Sequence, residues 1–489
     1  MPHQDTLAPR ARRVALALLW IIGCGDSDGD TGSASGTQGV TTATSGATTA
    51  GPTSDGSSDG SSDGSTAPTG DDSSSSDSDT DGPTTTDPAT TDGPTTTGPD
   101  TDPTDSTTTD PIKLDVGDSD ATSDTGFDCP MGMGMDVEFS YIWISNTGQS
   151  TLTKLNTQTL VEEGRYYTRD DQSGSPSRTS VNLSGDVVVA NRNGGVTKFY
   201  ARAEDCVESN GQPGLQTSTG SADILDWTVE ECRAWFTPLE GTSNRPVAWT
   251  SGTLDPQSCL WVDQKVWTST SVLGQPGTMK VHRLNGDTGV VEDTVNLPQI
   301  DIGSWGAYGG AVDSDNNLWM TTHGSSNPPT LVRVRDDDLS VSSWPAPPGV
   351  ATYGITVDVN SRPWVAGYSG GVARFDPDSE SWEVVGSVTG LGLQADDAGR
   401  VWVGSYPNQG VTAIDIETLD VLDSIPIAAS VTKGVSVDFF GYVWVVSMDS
   451  AAYRVDPETK TYETYNGLVQ AYTYSDMTGF GLKSVQIPE

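Results

Sequence analysis

Residues 354–377 read GITVDVNSRPWVAGYSGGVARFDP, and the second half of the chain rewrites this unit several times. An apolar run reaches Asp358, a turn follows, and a second apolar run carries Trp364-Val365. After a small polar loop, a third run ends in Asp376-Pro377. The Asp stands six residues before the Trp, and that pairing recurs at Asp313/Trp319, Asp396/Trp402 and Asp438/Trp444, with a degenerate copy at Asn182/Val188. The third run recurs as ARFDPDS from 373, TAIDIET from 412, YRVDPET from 453 and TKLNTQT from 153. From Trp319 to Trp364, Trp402 and Trp444 the steps are 45, 38 and 42 residues, near the period of a propeller blade.

Aligned on the Trp column, the repeats fall at Trp143, Val188, Trp267, Trp319, Trp364, Trp402 and Trp444. Short β-branched and aromatic runs with frequent turn signals complete an all-β pattern. The expected fold is a seven-bladed β-propeller of four-stranded antiparallel blades, over residues 126–489. The Asp before each Trp is expected to accept hydrogen bonds from the backbone of the tight A–B turn, a structural role. Blade one shows no strand A ahead of Tyr141, whereas Thr478–Val485 resembles the strand-A segments of other blades. The C-terminal strand is therefore expected to close blade one and remove the open edge. The step from 188 to 267 is too long for one blade and implies an insertion at about 203–260.

The N-terminal third is of a different kind. Arg10, Arg12 and Arg13 precede the short apolar run Val14–Ile22, too short to span a bilayer, so residues 1–23 read as a signal peptide. Ile21-Ile22-Gly23-Cys24 resembles a bacterial lipobox, which predicts lipidation at Cys24 and a membrane anchor. With Gly25 following, that resemblance points to an exported lipoprotein of the outer membrane or cell surface. Residues 25–125 hold twenty-one Asp, one Lys and no Phe, Trp or Tyr. Such a segment buries too little apolar surface to offset its chain entropy, so 24–125 is expected to be a disordered, extended acidic tether.

The whole chain carries a net charge of −42, which excludes nucleic acid as a natural partner. Beyond Cys24 there are four cysteines, Cys129, Cys206, Cys232 and Cys259. In an oxidising compartment they predict two disulfides, Cys206–Cys232 and Cys129–Cys259, the first bracketing the insertion. With three histidines in all and no Cys-x-x-Cys, no metal site is expected.

The repeat, with its hydrophobic-Asp-x5-Trp-Val signature, resembles the seven-bladed propellers of the streptogramin B lyase (virginiamycin B lyase-like) group and the wider NHL and YVTN propellers. In that lyase group top-face His and Glu residues, with magnesium, open a cyclic depsipeptide by elimination. The Glu there stands three residues after the Trp. The corresponding residues here are Asn146, Asn191, Thr270, Thr322, Gly367, Ser405 and Ser447, and Tyr353 and Lys433 stand where the group has His. The resemblance thus implies the fold and a ligand-facing mouth, and not the lyase's catalytic set.

The mouth offers Arg192, Trp305, Tyr308, His323, Tyr353, Tyr368, Tyr406 and Lys433, with Tyr472 and Tyr474 from the closing segment. Aromatics with Arg and His suit binding of a glycan, peptide or protein by a monomer, without catalysis and without a cofactor. A first alternative is a divergent lyase-like enzyme centred on His323, which would need a divalent metal or a cross-blade acid such as Asp449 or Asp476. A second is a display scaffold whose function is carried by the insertion.

Overall fold

The computed structural model describes residues 140–258 and 260–486. Cys24, the 25–125 stretch, Cys129 and Cys259 lie outside the described residues, and with them the lipidation site, the tether and the second disulfide. The ring is built of seven antiparallel sheets. Blade five is representative: strand A is Thr352–Val357, B is Pro363–Gly367, C is Val372–Asp376 and D is Ser381–Val385. The strand A segments of blades two to seven are Pro176–Val181, Ser243–Trp249, Ala307–Val312, Thr352–Val357, Gly390–Ala395 and Thr432–Val437. They lie innermost and pack against one another around the axis.

The Asp/Trp spacing does more than shape a turn. Asp438 accepts the amides of Phe440 and Tyr442 on Oδ1 and the indole N–H of Trp444 on Oδ2, at 2.9, 3.0 and 2.8 Å. Asp313, Asp358 and Asp396 bind Trp319, Trp364 and Trp402 in the same way. Six residues is the path from the turn's first residue to the strand B position that faces it, so one carboxylate ties the A–B turn to the blade core. Asn182 keeps the turn bonds, to Ser184 and Asp186, where Val188 leaves no indole to bind. The six Trp of the column are at most 1% exposed.

Opposite this column runs a second one. The strand C residue paired with the column residue is Lys154, Lys198, Arg283, Arg333, Arg374 and Arg454 in all blades but the sixth, where Ala413 stands. Five of these cations reach a carbonyl just past strand C of the next blade: Lys154 that of Ala201, Lys198 of Gly286, Arg283 of Asp336, Arg374 of Ile416 and Arg454 of Thr157.

Blade one contributes three strands of its own, Tyr141–Asn146, Thr151–Asn156 and Glu162–Tyr167. Its inner position is taken by the C-terminal segment 471–477: Ala471 bridges Asn146, Tyr472 donates to Ser145 and Trp143 donates to Met477 at 2.9 Å. The tail therefore closes the ring, but not with the residues that looked most strand-like. Phe480–Gln486 is a short helix, because Asp476 turns back to accept the amides of Gly479 and Leu482, both at 2.9 Å. That bond set stops the extended chain at 477 and seats Phe480, Leu482 and Val485 in buried clusters of the ring.

The stretch 203–260 is not one insertion. Residues 233–237 are strand D of blade two and 243–249 are strand A of blade three. What remains is a loop from 200 to 232, closed by the expected Cys206–Cys232 disulfide, and a small hairpin of Thr253–Asp255 with Leu260–Val262. Arg233–Thr237 is hard to read from sequence because its strand pairing partner, Val196–Phe199, precedes it by more than thirty residues.

Candidate functional site

The mouth is set by bulges. Strand A of blade four slips register between Ala307 and Gly309, and blade seven does so between Thr432 and Gly434. Blades five and six break between Thr352 and Ile355 and between Gly390 and Leu393. The slip leaves Tyr308, Tyr353, Leu391 and Lys433 out of the ladder, and a bulge re-aims such a residue. Each is followed by Gly, which lets neighbouring strands close on one another. A Cβ on Gly354, Gly392 or Gly434 would lie 2.4 Å from the carbonyl oxygen of Leu391, Lys433 or Thr473 in the next inner strand.

The result is a two-layer site. The floor gathers Tyr308, Tyr353, Leu391, Tyr472 and Tyr474, each at most 4% exposed. The hydroxyls of Tyr308 and Tyr472 are 2.6 Å apart, Tyr353 and Tyr472 are hydrogen-bonded through their hydroxyls, and Lys433 Nζ donates to Tyr353 Oη at 2.9 Å. Arg178 enters the same cluster, its guanidinium 3.8 Å from the ring centre of Tyr474 and 4.4 Å from that of Tyr308. Arg245 lies 5.1 Å from the Tyr308 ring and 5.0 Å from that of Trp305.

Above the floor, Trp305, Tyr368, Tyr406 and Met448 are half-buried and form the rim. His323 sits between the layers, stacked on Tyr368 at 5.6 Å and edge-on to Tyr308 at 4.5 Å. Arg192 bonds Ser175 Oγ at 2.9 Å and stands 5.2 Å from the Tyr472 ring. Tyr406 also borders a groove of about 640 Å³ on blade six, lined by Thr389, Asn408, Gln409 and Thr412.

The structure thus brings together the residues expected at the mouth but sorts them. Trp305, Tyr368 and Tyr406 are half-buried, whereas Tyr308, Tyr353 and Lys433 are buried and joined in one hydrogen-bonded chain through Tyr472. Arg178 and Arg245 were not among the expected site residues. The signal was there: each is a cation inside an inner strand, PSRTSV and SNRPVAW, Arg178 where blades four to seven carry the Gly after the bulged residue and Arg245 where they carry an aromatic, Leu or Lys.

His323 has a defined tautomer. Its Nδ1 accepts the backbone N–H of Ser325 at 3.0 Å, so in the neutral ring Nε2 carries the hydrogen. A ring held this way offers a donor rather than a basic lone pair to anything bound at Nε2. Asp476, one of the acids considered for a partner, is spent on the turn and helix of the closing tail, and burial raises its pKa. Among the described residues, no three His, Cys, Asp or Glu side chains are grouped to hold a metal ion. His282 lies elsewhere, on strand C of blade three between the hydroxyls of Thr270 and Thr294, both at 3.0 Å.

Away from the mouth, the disulfide-closed loop of blade two frames a groove of about 480 Å³ with Tyr200, Trp227, Arg233 and Phe236 on its walls.

No family model and no curated protein matches the sequence. Solved structures similar to this chain include a streptogramin B lyase, 14% identical with a TM-score of 0.46, covering 64% of this chain and 88% of that one. A virginiamycin B lyase from Staphylococcus aureus is 12% identical, TM-score 0.44, over 64% of this chain and 95% of its own. Apo AztD from Citrobacter koseri is also 12% identical, TM-score 0.43, over 68% and 96%. At these identities the likeness is one of propeller fold.

Proposed function

We propose that the chain is an exported, membrane-anchored propeller that binds a glycan, peptide or protein ligand at its mouth without transforming it. The lipid anchor at Cys24 and the acidic tether are read from sequence, and they would hold a monomeric propeller away from the envelope surface. One observation supports binding above all: half-buried Trp305, Tyr368 and Tyr406 stand over an aromatic floor whose hydroxyls are hydrogen-bonded to one another and to Lys433. Rings of this kind offer large apolar faces at small entropic cost. The amide-fixed tautomer of His323 favours a hydrogen-bonding role over that of a base.

Thermal unfolding of the full chain against a panel of glycans and peptides tests this. A ligand at a hundred times its Kd adds about 2.7 kcal/mol, enough for a visible shift. The shift should vanish in Tyr368→Ala or Trp305→Ala. A ligand whose effect is untouched by both changes but lost in Trp227→Ala would move recognition to the blade-two groove. Stabilisation by magnesium or manganese that is lost in His323→Ala would favour the lyase-like alternative instead.

A further inference from the structure

We propose that the floor of the mouth is an oxyanion site that takes the carboxylate of an acidic sugar, with Arg178 as its principal ligand; this rests on the binding role assigned to the rim. Arg178 is fully buried. Its Nε donates to the carbonyl of Tyr308 at 3.0 Å, while Nη1 and Nη2 have no hydrogen-bond partner among the described residues. Aromatic faces on Tyr308 and Tyr474 hold the guanidinium flat but accept none of its N–H groups in the plane where they point. A buried guanidinium with two nitrogens unbonded is costly unless something completes it. With Nε already used, the free edge is the Nη1/Nη2 pair, which matches the two oxygens of a carboxylate end-on.

The neighbourhood is built for negative charge. Lys433 Nζ lies 4.9 Å from the ring centres of both Tyr353 and Tyr472, and the Arg245 guanidinium shares the Tyr308 ring with that of Arg178. Three cations thus converge on four phenols in a chain whose net charge is −42. Linked hydroxyls on Tyr308, Tyr353 and Tyr472 supply further donors. A uronic acid suits a cationic floor beneath an aromatic rim: its carboxylate is attached directly to the pyranose ring. The ring would rest on Tyr368 and Trp305 at the rim while the acid reaches Arg178 beneath.

Titration calorimetry on the full chain with tri-galacturonate and with its methyl ester tests the inference. The acid should bind about tenfold or more tighter than the ester, the worth of one charge-assisted pair. Arg178→Lys keeps the charge but loses the fork, and should bring the acid down to the ester's affinity while leaving the ester unchanged. Should Arg178→Lys fail to fold, Lys433→Met, which keeps the length of the side chain, must narrow the acid-over-ester preference. Equal binding of acid and ester, or undiminished preference in the folded variant, overturns the oxyanion site while leaving neutral-ligand binding at the rim intact. Binding of neither form also overturns it, and the Tyr368→Ala and Trp305→Ala melts then decide whether the rim binds anything.

Discussion

Arg454, in the last blade, donates to the carbonyl oxygen of Gln158, in the first, at 2.7 Å. The same guanidinium also bonds Thr157, so the latch used between other neighbours is used again where the chain's two ends of the ring meet. Its side chain is only 10% exposed, which removes most competition from water. Arg454→Met should leave the carbonyl of buried Thr157 unbonded, while that of exposed Gln158 turns to water, and cost about 1–3 kcal/mol, read as a lower midpoint in urea. Arg374→Met breaks an internal latch to Ile416 and should cost less, because two covalently consecutive blades stay tethered. Equal effects would mean that closure adds nothing beyond the local bonds.

Asp438 serves three donors at once, and the prediction there separates shape from acceptor capacity. Asp438→Ala strands two turn amides and the Trp444 indole in the core, at about 2–4 kcal/mol. Asp438→Asn keeps one oxygen, so it should lose roughly half as much. Burial holds the Asp438 carboxyl above the usual carboxylate range, against the lowering pull of its three hydrogen bonds. Urea melts followed by tryptophan emission would measure both variants.

These repeats show where the sequence was transparent. The Asp-x5-Trp interval is a bond length in disguise, so it survives drift and reveals blade number and register. The closing tail is different. Residues 471–477 are packed from both sides, which erases the alternation that marks a strand, whereas Gly-Phe-Gly-Leu at 479–482 imitates strand A. Asp476 decides between them through two side-chain bonds that no periodicity reports. At the mouth, Tyr and Lys before Gly were visible at 308, 353 and 433, but burial was not: the bulge that turns them inward is a property of paired strands, not of one.

His282 provides a pH signature. Burial pushes its pKa down to about 4, from the ordinary value near 6.5. Between those values the unfolded chain takes up a proton that the folded chain resists, so stability falls as pH drops from about 6.5 towards 4 and changes no further below it for this group. The full difference is about 3 kcal/mol. His282→Gln should flatten that part of the stability profile, measured by urea melts at pH 7, 5.5 and 4.

The Cys206–Cys232 bridge closes a loop of 26 residues' separation in blade two. The chain-entropy model puts its worth at about 3.5 kcal/mol for such a loop. Mild reductant, or Cys206→Ser with Cys232→Ser, should lower the melting temperature and open the loop that frames Trp227 and Phe236. Because the strands of blade two pair on either side of this loop, the propeller itself should still fold, with unchanged far-ultraviolet circular dichroism.

Gly434 is the residue against which the closing segment is seated. A methyl group there would stand 2.4 Å from the carbonyl oxygen of Thr473, a contact that backbone must move to relieve. Gly434→Ala should therefore push residues 471–477 off the inner edge of blade one, at about 2–3 kcal/mol. Tyr472 would then lose its place between the hydroxyls of Tyr308 and Tyr353, so the floor of the mouth should loosen with the clasp. Gly386→Ala is the matched control: nothing lies within 4 Å of its added carbon, and the change should be neutral or slightly stabilising. Hydrogen exchange at the amides of Trp143 and Tyr472, which bond across this seam, would read the difference directly. Faster exchange in Gly434→Ala, with Gly386→Ala unchanged, is the expected result. Equal protection in both would mean that the tail is held by its helix alone.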